Sequence, residues 1–306
     1  MTPVADCILE ANHWSNLLWA IRTPSIVNTS ELPWVTQETS QQFFQFFSQT
    51  QTAAKLHDTL NHYLDELMTH RLGVYFEHLW AFAFTHHPDY SLIGRNVAIR
   101  QQGQTMGELD FVVRNEKTLL IEHWEVAVKF YLQVAASPSL NNWVGPGIKD
   151  RLDIKLNRMQ SHQLAFVHQP DVKSILEDMG IRIDRQKALM PGRLFQPITE
   201  LSSRLAAPIE TSQAGFWWAE LADFIGTYEL QPWRWYLCPK TSWLSNQGYG
   251  QKEGLTSQEL MTYVQSAALD YPLCVVATQN NTEQTRGFIV PTGWHQKACS
   301  ASAKLN

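Results

Sequence analysis

The chain has 306 residues, more than one ordinary domain needs, so one elaborated domain or two are expected. With 44% hydrophobic and 17% charged residues it can bury a sizeable core, which excludes a disordered chain. A formal net charge of −5 excludes a strongly basic coat, yet a local basic cleft can still bind phosphate on an acidic protein.

The cysteines Cys7, Cys238, Cys274 and Cys299 are scattered and form no CxxC pair. That argues against a zinc ribbon or a disulfide framework and fits a reducing cytosol. The opening MTPVADCILEANHW lacks the basic region and apolar run of a secretory signal. No stretch approaches the ~20 apolar residues of a membrane span. A soluble cytoplasmic protein with no membrane partner is expected.

Residues 1–50 read as short helices and connectors. Asn16–Ile21 is helix-compatible, Pro24 and Pro33 interrupt it, and Phe43, Phe44, Phe46 and Phe47 cluster to pack on the main domain. Leu56, Leu60, Tyr63, Leu64 and Leu67 recur at helical spacing, predicting a helix over about Ala53–Thr69. A second helix follows from about Gly73 to Phe84, with Tyr75, Leu79, Phe82 and Ala83 on its apolar face. Glu77 stands there among aromatic residues, where a carboxylate without a partner is costly; the bland alternative is a solvated edge position. His62, His70, His78, His86 and His87 show no HExxH spacing and are read as surface or core residues.

Tyr90–Arg100 reads as a strand, followed by the polar loop Gln101–Thr105. Then comes Gly107–Tyr131, GELDFVVRNEKTLLIEHWEVAVKFY: two strand-like runs around the polar turn Arg114–Lys117. Side chains alternate along a strand, so Glu108 and Asp110 share one face of the first run, and His123, Glu125, Ala127 and Lys129 share one face of the second. The hairpin can thus gather carboxylates and an ammonium on one side, where a sheet built only for stability would place apolar residues. Mg²⁺ prefers oxygen ligands and keeps several waters; it polarises a phosphate and lowers the pKa of a bound water. A lysine alongside stabilises developing negative charge. The competing reading is a Glu125–Lys129 or Asp110–Lys129 ion pair that merely neutralises buried charge.

Ala135–Gly147, rich in Ser, Pro, Asn and Gly, reads as an ordered loop anchored by Trp143 and as a candidate cleft wall. A helix is expected over about Ile148–Phe166. Arg151, Lys155, Arg158 and His162 fall on one stripe of it, beside an apolar stripe of Ile148, Leu152, Leu156 and Met159. A basic stripe suits a nucleic-acid backbone, DNA or RNA; the bland alternative is a solvated face. Gln163 could also face the site.

Asp171–Met179 reads as a short helix ended by Gly180, and Lys187–Pro197 as a strand interrupted at Pro191-Gly192. Further on, Gly215–Phe224 reads as an aromatic-rich helix and Trp233–Cys238 as a strand. Thr256–Glu259 matches a capping box opening a helix to about Ala268. Leu273–Thr278 and Phe288–Val290 are strand-like, and about Gln296–Asn306 is expected to be a mobile tail. Trp217, Trp218, Trp233, Trp235 and Trp243 could stack on bases, but core packing explains most of them more simply. P-loop, GxSxG and GxGxxG signatures are missing.

The order LGxxxE at Leu72–Glu77, GELDF at Gly107–Phe111, then an acid and a lysine on the next strand resembles the PD-(D/E)XK nuclease superfamily. The phrases GELDFVV, EVAVKFYL, WVGPGIKDRLDIKLNRM, RWYLCPKTSWL and GFIVPTGW resemble the bacterial domain-of-unknown-function family 1853, taken as part of that superfamily, from about residue 70 onward. The resemblance implies an α/β fold (α+β possible) with a restriction-endonuclease-like α-β-β-β-α-β core, a mixed sheet, and additional helical and β elements. The expected blocks are a helical region over 1–69, the nuclease-like core over 70–200 and an α/β extension over 201–306.

By the same resemblance Asp110 matches the metal-binding aspartate, Glu77 the helix acid and Lys129 the lysine beside the attacking water, with Mg²⁺ or Mn²⁺ as cofactor. The pattern places its second acid where this chain has Ala127. Glu125, about 6–7 Å further along the same face, is the substitute ligand, with Glu108 in support. Arg151, Lys155 and Arg158 are the expected phosphate contacts. Two functions stay open: a metal-dependent nuclease cleaving phosphodiester bonds, or a catalytically inactive nuclease-fold module binding nucleic acid or a protein partner.

Overall fold

The structure, a computed structural model, describes residues 4–67, 69, 71–137, 139–201, 205, 208–210, 212, 215–245, 249 and 252–304. The first half holds helices α1 (His13–Arg22), α2 (Gln37–Phe47), α3 (Thr50–Asp65) and α4 (Leu72–His86), then strands β1 (Tyr90–Gln101), β2 (Gln104–Asn115), β3 (Ile121–Val126), β4 (Lys129–Gln133) and β5 (Trp143–Val144). Next come α5 (Leu152–Arg158), α6 (Pro170–Asp178), β6 (Arg185–Leu189), β7 (Gly192–Pro197) and β8 (Phe216–Glu220). The chain closes with α7 (Leu221–Tyr228), β9 (Arg234–Leu237), α8 (Ser257–Ala267), β10 (Leu273–Gln279), β11 (Thr282–Val290) and α9 (Trp294–Lys304). The class is mixed α/β, with two mixed sheets among the described residues.

Two compact units share the chain. One comprises Asn16–Val128 and Lys155–Pro191; the other comprises Met1–Ser15, Lys129–Ile154 and Gly192–Asn306. These are not the consecutive blocks expected with breaks near 69 and 200. The reason lies in two strand pairs: β3 leads into β4 through Ala127-Val128, and β6 into β7 through Met190-Pro191, and each pair gives one strand to each sheet.

The first unit carries a four-stranded sheet in the order β1-β2-β3-β6. The β1–β2 and β2–β3 pairs are antiparallel, and β3–β6 is parallel. Gln102 and Gly103, both at positive φ (50° and 82°), make the tight β1–β2 turn, the geometry a two-residue hairpin demands. A parallel partner for β3 requires a crossover, which α5 and α6 provide. Helix α4 is buried nearly all round and packs on β1 and β2. Trp80, Phe84, Phe111 and Trp124 meet there, with Phe84 and Trp124 edge-to-face at 5.1 Å, and Phe43 joins from α2. Ile99, Val112, Val172, Leu176 and Ile181 form a second cluster beneath α6.

Of the histidines read as surface or core residues, His62 is exposed, His78 and His86 are half-buried and His87 is buried. His78 Nδ1 bonds the Tyr63 hydroxyl at 2.7 Å, and His87 lies 4.5 Å from the Phe43 ring. His70 lies outside the described residues.

The other unit carries a seven-stranded sheet in the order β5-β4-β7-β8-β11-β10-β9. Three expectations are corrected here. The aromatic run expected as a helix over Gly215–Phe224 begins as β8, and only Leu221 onward is helical. Trp217, Trp218 and Ala219 are all buried, so this strand lacks the alternation that would have marked it. The expected mobile tail is α9 up to Lys304, tied down by Trp294 Nε1 donating to the Pro146 carbonyl at 3.0 Å. The helix expected from Ile148 starts at Leu152, because Ile148 adopts φ 63° in the turn closed by the Val144–Arg151 bridge. The capping box at Thr256 and Glu259 is formed as expected. Trp217, Trp218, Trp235 and Trp243 are buried, which fits packing and not base stacking. No helix among the described residues is long and apolar enough to cross a membrane.

Candidate active site

The antiparallel β2–β3 ladder pairs Phe111 with Trp124, so Asp110 and Glu125 stand opposite each other one step further on. Asp110 Oδ2 accepts the Val126 N–H at 3.0 Å, and the Asp110 and Glu125 carboxyls lie within hydrogen-bonding reach. Glu125 is 1% exposed. With Glu125 buried and a half-buried Asp110 beside it, the two carboxyls cannot both ionise readily. Burial first, and the Asp110 charge second, push Glu125 up to about 9; burial also raises Asp110. At neutral pH the pair therefore holds a proton.

Two side chains from the crossover helix complete the group. Lys155 Nζ donates to Gln163 Oε1 at 2.7 Å, and Gln163 Nε2 donates to Glu125 Oε1. This polarity fixes the amide orientation, since an ammonium can only donate and a carboxylate oxygen accepts. The positive charge of Lys155 opposes the pKa rise of both acids.

Lys155 and Gln163 are eight positions apart, which in a regular α-helix overshoots two turns by about 80°. Residues Met159–Leu164 wind instead as a π-helix, whose wider turn takes up that excess. Glu125 Oε2 is left buried without a hydrogen-bond partner among the described residues, as is His123 Nε2 3.9 Å away.

A cleft of about 560 Å³ opens on this group, lined by Glu108, Asp110, Arg158, His162, Gln163 and Phe166. Gly107 lets the Phe166 ring close over the strand: a Cβ there would sit 2.8 Å from the ring. Glu108 is exposed at the rim. Glu77 is held by Arg95 at 3.2 Å; burial raises its pKa, the Arg95 hydrogen bond opposes the rise, and the charge of Asp110 adds to it.

Other expected members stand elsewhere. β3 ends at Val126, and Lys129 opens β4 in the seven-stranded sheet, so Glu125 and Lys129 do not share one strand face. The Lys129 ammonium pairs with Asp150, whose Oδ2 also accepts the Tyr131 hydroxyl at 3.2 Å. Ala127 at the break donates its N–H to the Leu189 carbonyl. Arg151 is buried, clamps Asp153 at 2.7 and 2.9 Å and donates to the Ser302 carbonyl, which makes it a structural cation and not a phosphate contact. The basic stripe is thus divided: Lys155 serves the acid pair, while Arg158 and His162 face the cleft. The sequence does not show Lys155 as a partner of the acids, because the π winding that brings Gln163 between it and Glu125 has no composition signature.

Among the described residues no group of three or more His, Cys, Asp or Glu side chains is gathered as for a metal ion. The paired carboxyls, with Glu125 Oε2 buried and lacking a hydrogen-bond partner among the described residues, still fit a cation that binds through one or two carboxylates and keeps most of its water, as Mg²⁺ does.

Residues 15–290 match a family described as a domain of unknown function, DUF1853. No curated protein and no solved structure matches the chain.

Proposed function

The chain belongs to the DUF1853 family, and we propose that it is a divalent-metal-dependent nuclease hydrolysing phosphodiester bonds of DNA or RNA. The observation that carries the reading is the proton-sharing Asp110–Glu125 pair, with Lys155 beside it, under a cleft walled by Arg158 and His162. Within the four-stranded unit, where β4 and β5 leave for the other sheet, the order α4-β1-β2-β3-α5-α6-β6, antiparallel through β3 and parallel at β6, supports a restriction-endonuclease-like core resembling the PD-(D/E)XK superfamily.

Asp110 and Glu125 would hold Mg²⁺ or Mn²⁺, giving up their shared proton, with Glu108 available from the rim. The bound ion supplies Lewis acidity and a water of lowered pKa. Gln163 fixes Glu125 Oε1 and leaves Oε2 free to ligate. Lys155, in the place expected for Lys129, offsets negative charge developing at the phosphate. Arg158 and His162 contact flanking phosphates. Glu77, committed to Arg95, steadies the neighbouring strand.

The gathering of two carboxylates where three would make a fuller cage favours the second reading, a module that binds nucleic acid without cleaving it. One assay separates the readings: labelled single- and double-stranded DNA and RNA, each with Mg²⁺, Mn²⁺ or EDTA. Cleavage in the metal lanes alone, lost in Asp110→Asn and Lys155→Ala, is expected. Retention of nucleic acid with no cleavage by the wild type leaves the binding module, and cleavage that survives Asp110→Asn rejects the site.

A further inference from the structure

The four-stranded unit has a second cavity, about 530 Å³, that the acid pair does not use. It lies on the other side of the short connector that walls the cleft. Phe166 and Gln169 line the cleft with Asp110, while Val167 and His168, between them in sequence, line the second cavity. Four residues span at most about 14 Å, so the two spaces are neighbours.

The two spaces differ in chemistry. Leu176, Ile181 and Ile183 give the second cavity an apolar floor continuous with the cluster beneath α6. Lys173, Arg182 and Arg185 stand on its rim, and among the described residues none of the three is engaged in an ion pair. Two acids share the lining, Glu177 and Asp184, and Asp184 Oδ2 already accepts the Ile121 N–H at 2.9 Å. Three cations over an apolar floor suit a ligand that is anionic along one edge and flat and apolar along the other.

We propose that this cavity holds an unpaired nucleotide of the strand whose scissile phosphate lies at Asp110 and Glu125, with phosphates on the Lys173–Arg182–Arg185 rim and a base face on the floor. In naming that strand, the proposal rests on the nuclease reading. A duplex keeps its bases stacked inside and offers only phosphates, so the apolar floor selects single-stranded over double-stranded nucleic acid.

The test is fluorescence anisotropy of the full chain in EDTA with labelled dT12 and with a 12-base-pair duplex. The wild type should bind dT12 more tightly than the duplex. Lys173→Gln/Arg182→Gln/Arg185→Gln should weaken dT12 binding about tenfold or more and reduce the salt slope by about two, as expected for three lost single-strand phosphate contacts. Because these side chains are exposed, melting temperatures should match; the single change Lys173→Gln, with an intermediate loss, guards against a folding defect in the triple variant. Equal binding by wild type and triple variant overturns the subsite, as does equal affinity for duplex and dT12. Full displacement of bound dT12 by millimolar inorganic phosphate at constant ionic strength assigns the cavity to free phosphate and overturns the strand reading. EDTA removes catalysis from the assay, so a failed cleavage test and a failed subsite are separate results.

Discussion

Glu125 in the four-stranded unit and Glu283 in the seven-stranded unit are both drawn into the interior, and their surroundings push them in opposite directions. Glu283 accepts Arg286 Nε and Nη2 at 2.9 and 3.0 Å and the Tyr249 hydroxyl. These contacts hold it below the usual carboxylate range although burial pulls the other way. Arg286 spends its other donors on the Ser242 and Ser245 carbonyls, and nearby Arg193 donates to those of Trp243 and Leu244 with its guanidinium 4.4 Å over the Phe216 ring. Two cations share one anion there, yet backbone oxygens complete the set. Around Glu125 two carboxyls share one proton and one cation, and a buried Glu125 oxygen is left without a hydrogen-bond partner among the described residues, behind the cleft that Asp110 and Gln163 line. Buried charge alone therefore does not mark a site. A leftover acceptor one side chain behind an opening does, because it has an affinity that folding has not used.

Substitutions can break this contrast. The largest effect is on activity: Lys155→Ala should lower the cleavage rate by about 10²–10³-fold, measured as initial rates in Mg²⁺. Next is Arg286→Met, which strands Glu283 and should cost about 3–5 kcal/mol in urea unfolding, whereas Glu125→Gln should leave the metal-free protein at least as stable at alkaline pH.

The third prediction is a pH dependence. The folded pKa of Glu125, about 9, lies above its ordinary 4.5. The folded protein then holds an extra proton between these values. That stabilisation is complete below pH 4.5 and is lost as pH rises through 9, so metal-free melting temperatures should decline across the window. Glu125→Gln should flatten the decline; an unchanged slope in that variant would place the titration elsewhere. The smallest effect belongs to Lys129→Ala: its half-exposed pair with Asp150 is worth at most about 1 kcal/mol, and the cleavage rate should stay within about twofold. A loss matching that of Lys155→Ala would return the catalytic lysine to β4.

Much of this was legible beforehand. Alternation placed Asp110 and Glu125 on one face, helical spacing found α3 and α4, and the capping box located α8. Illegible features share a cause, long-range pairing. The run from His123 to Lys129 reads as one strand because nothing local marks where Ala127 turns its N–H to Leu189 and Lys129 leaves for another sheet. The stripe from Arg151 to His162 reads as one cationic face because helical spacing cannot show that Asp153 captures the first arginine or that a π turn swings Gln163 under Lys155. β8, buried on both faces, lacked the alternation by which a strand is recognised.

The central claim is that the Asp110–Glu125 pair exchanges its shared proton for a divalent cation. Titration calorimetry with Mg²⁺ at pH 7, repeated in buffers of different ionisation enthalpy, measures both events together. The account predicts one Mg²⁺ per chain with about one proton released, and no binding by Asp110→Asn. A wild type that binds no Mg²⁺ at millimolar concentration, or binds it without releasing a proton, would contradict it.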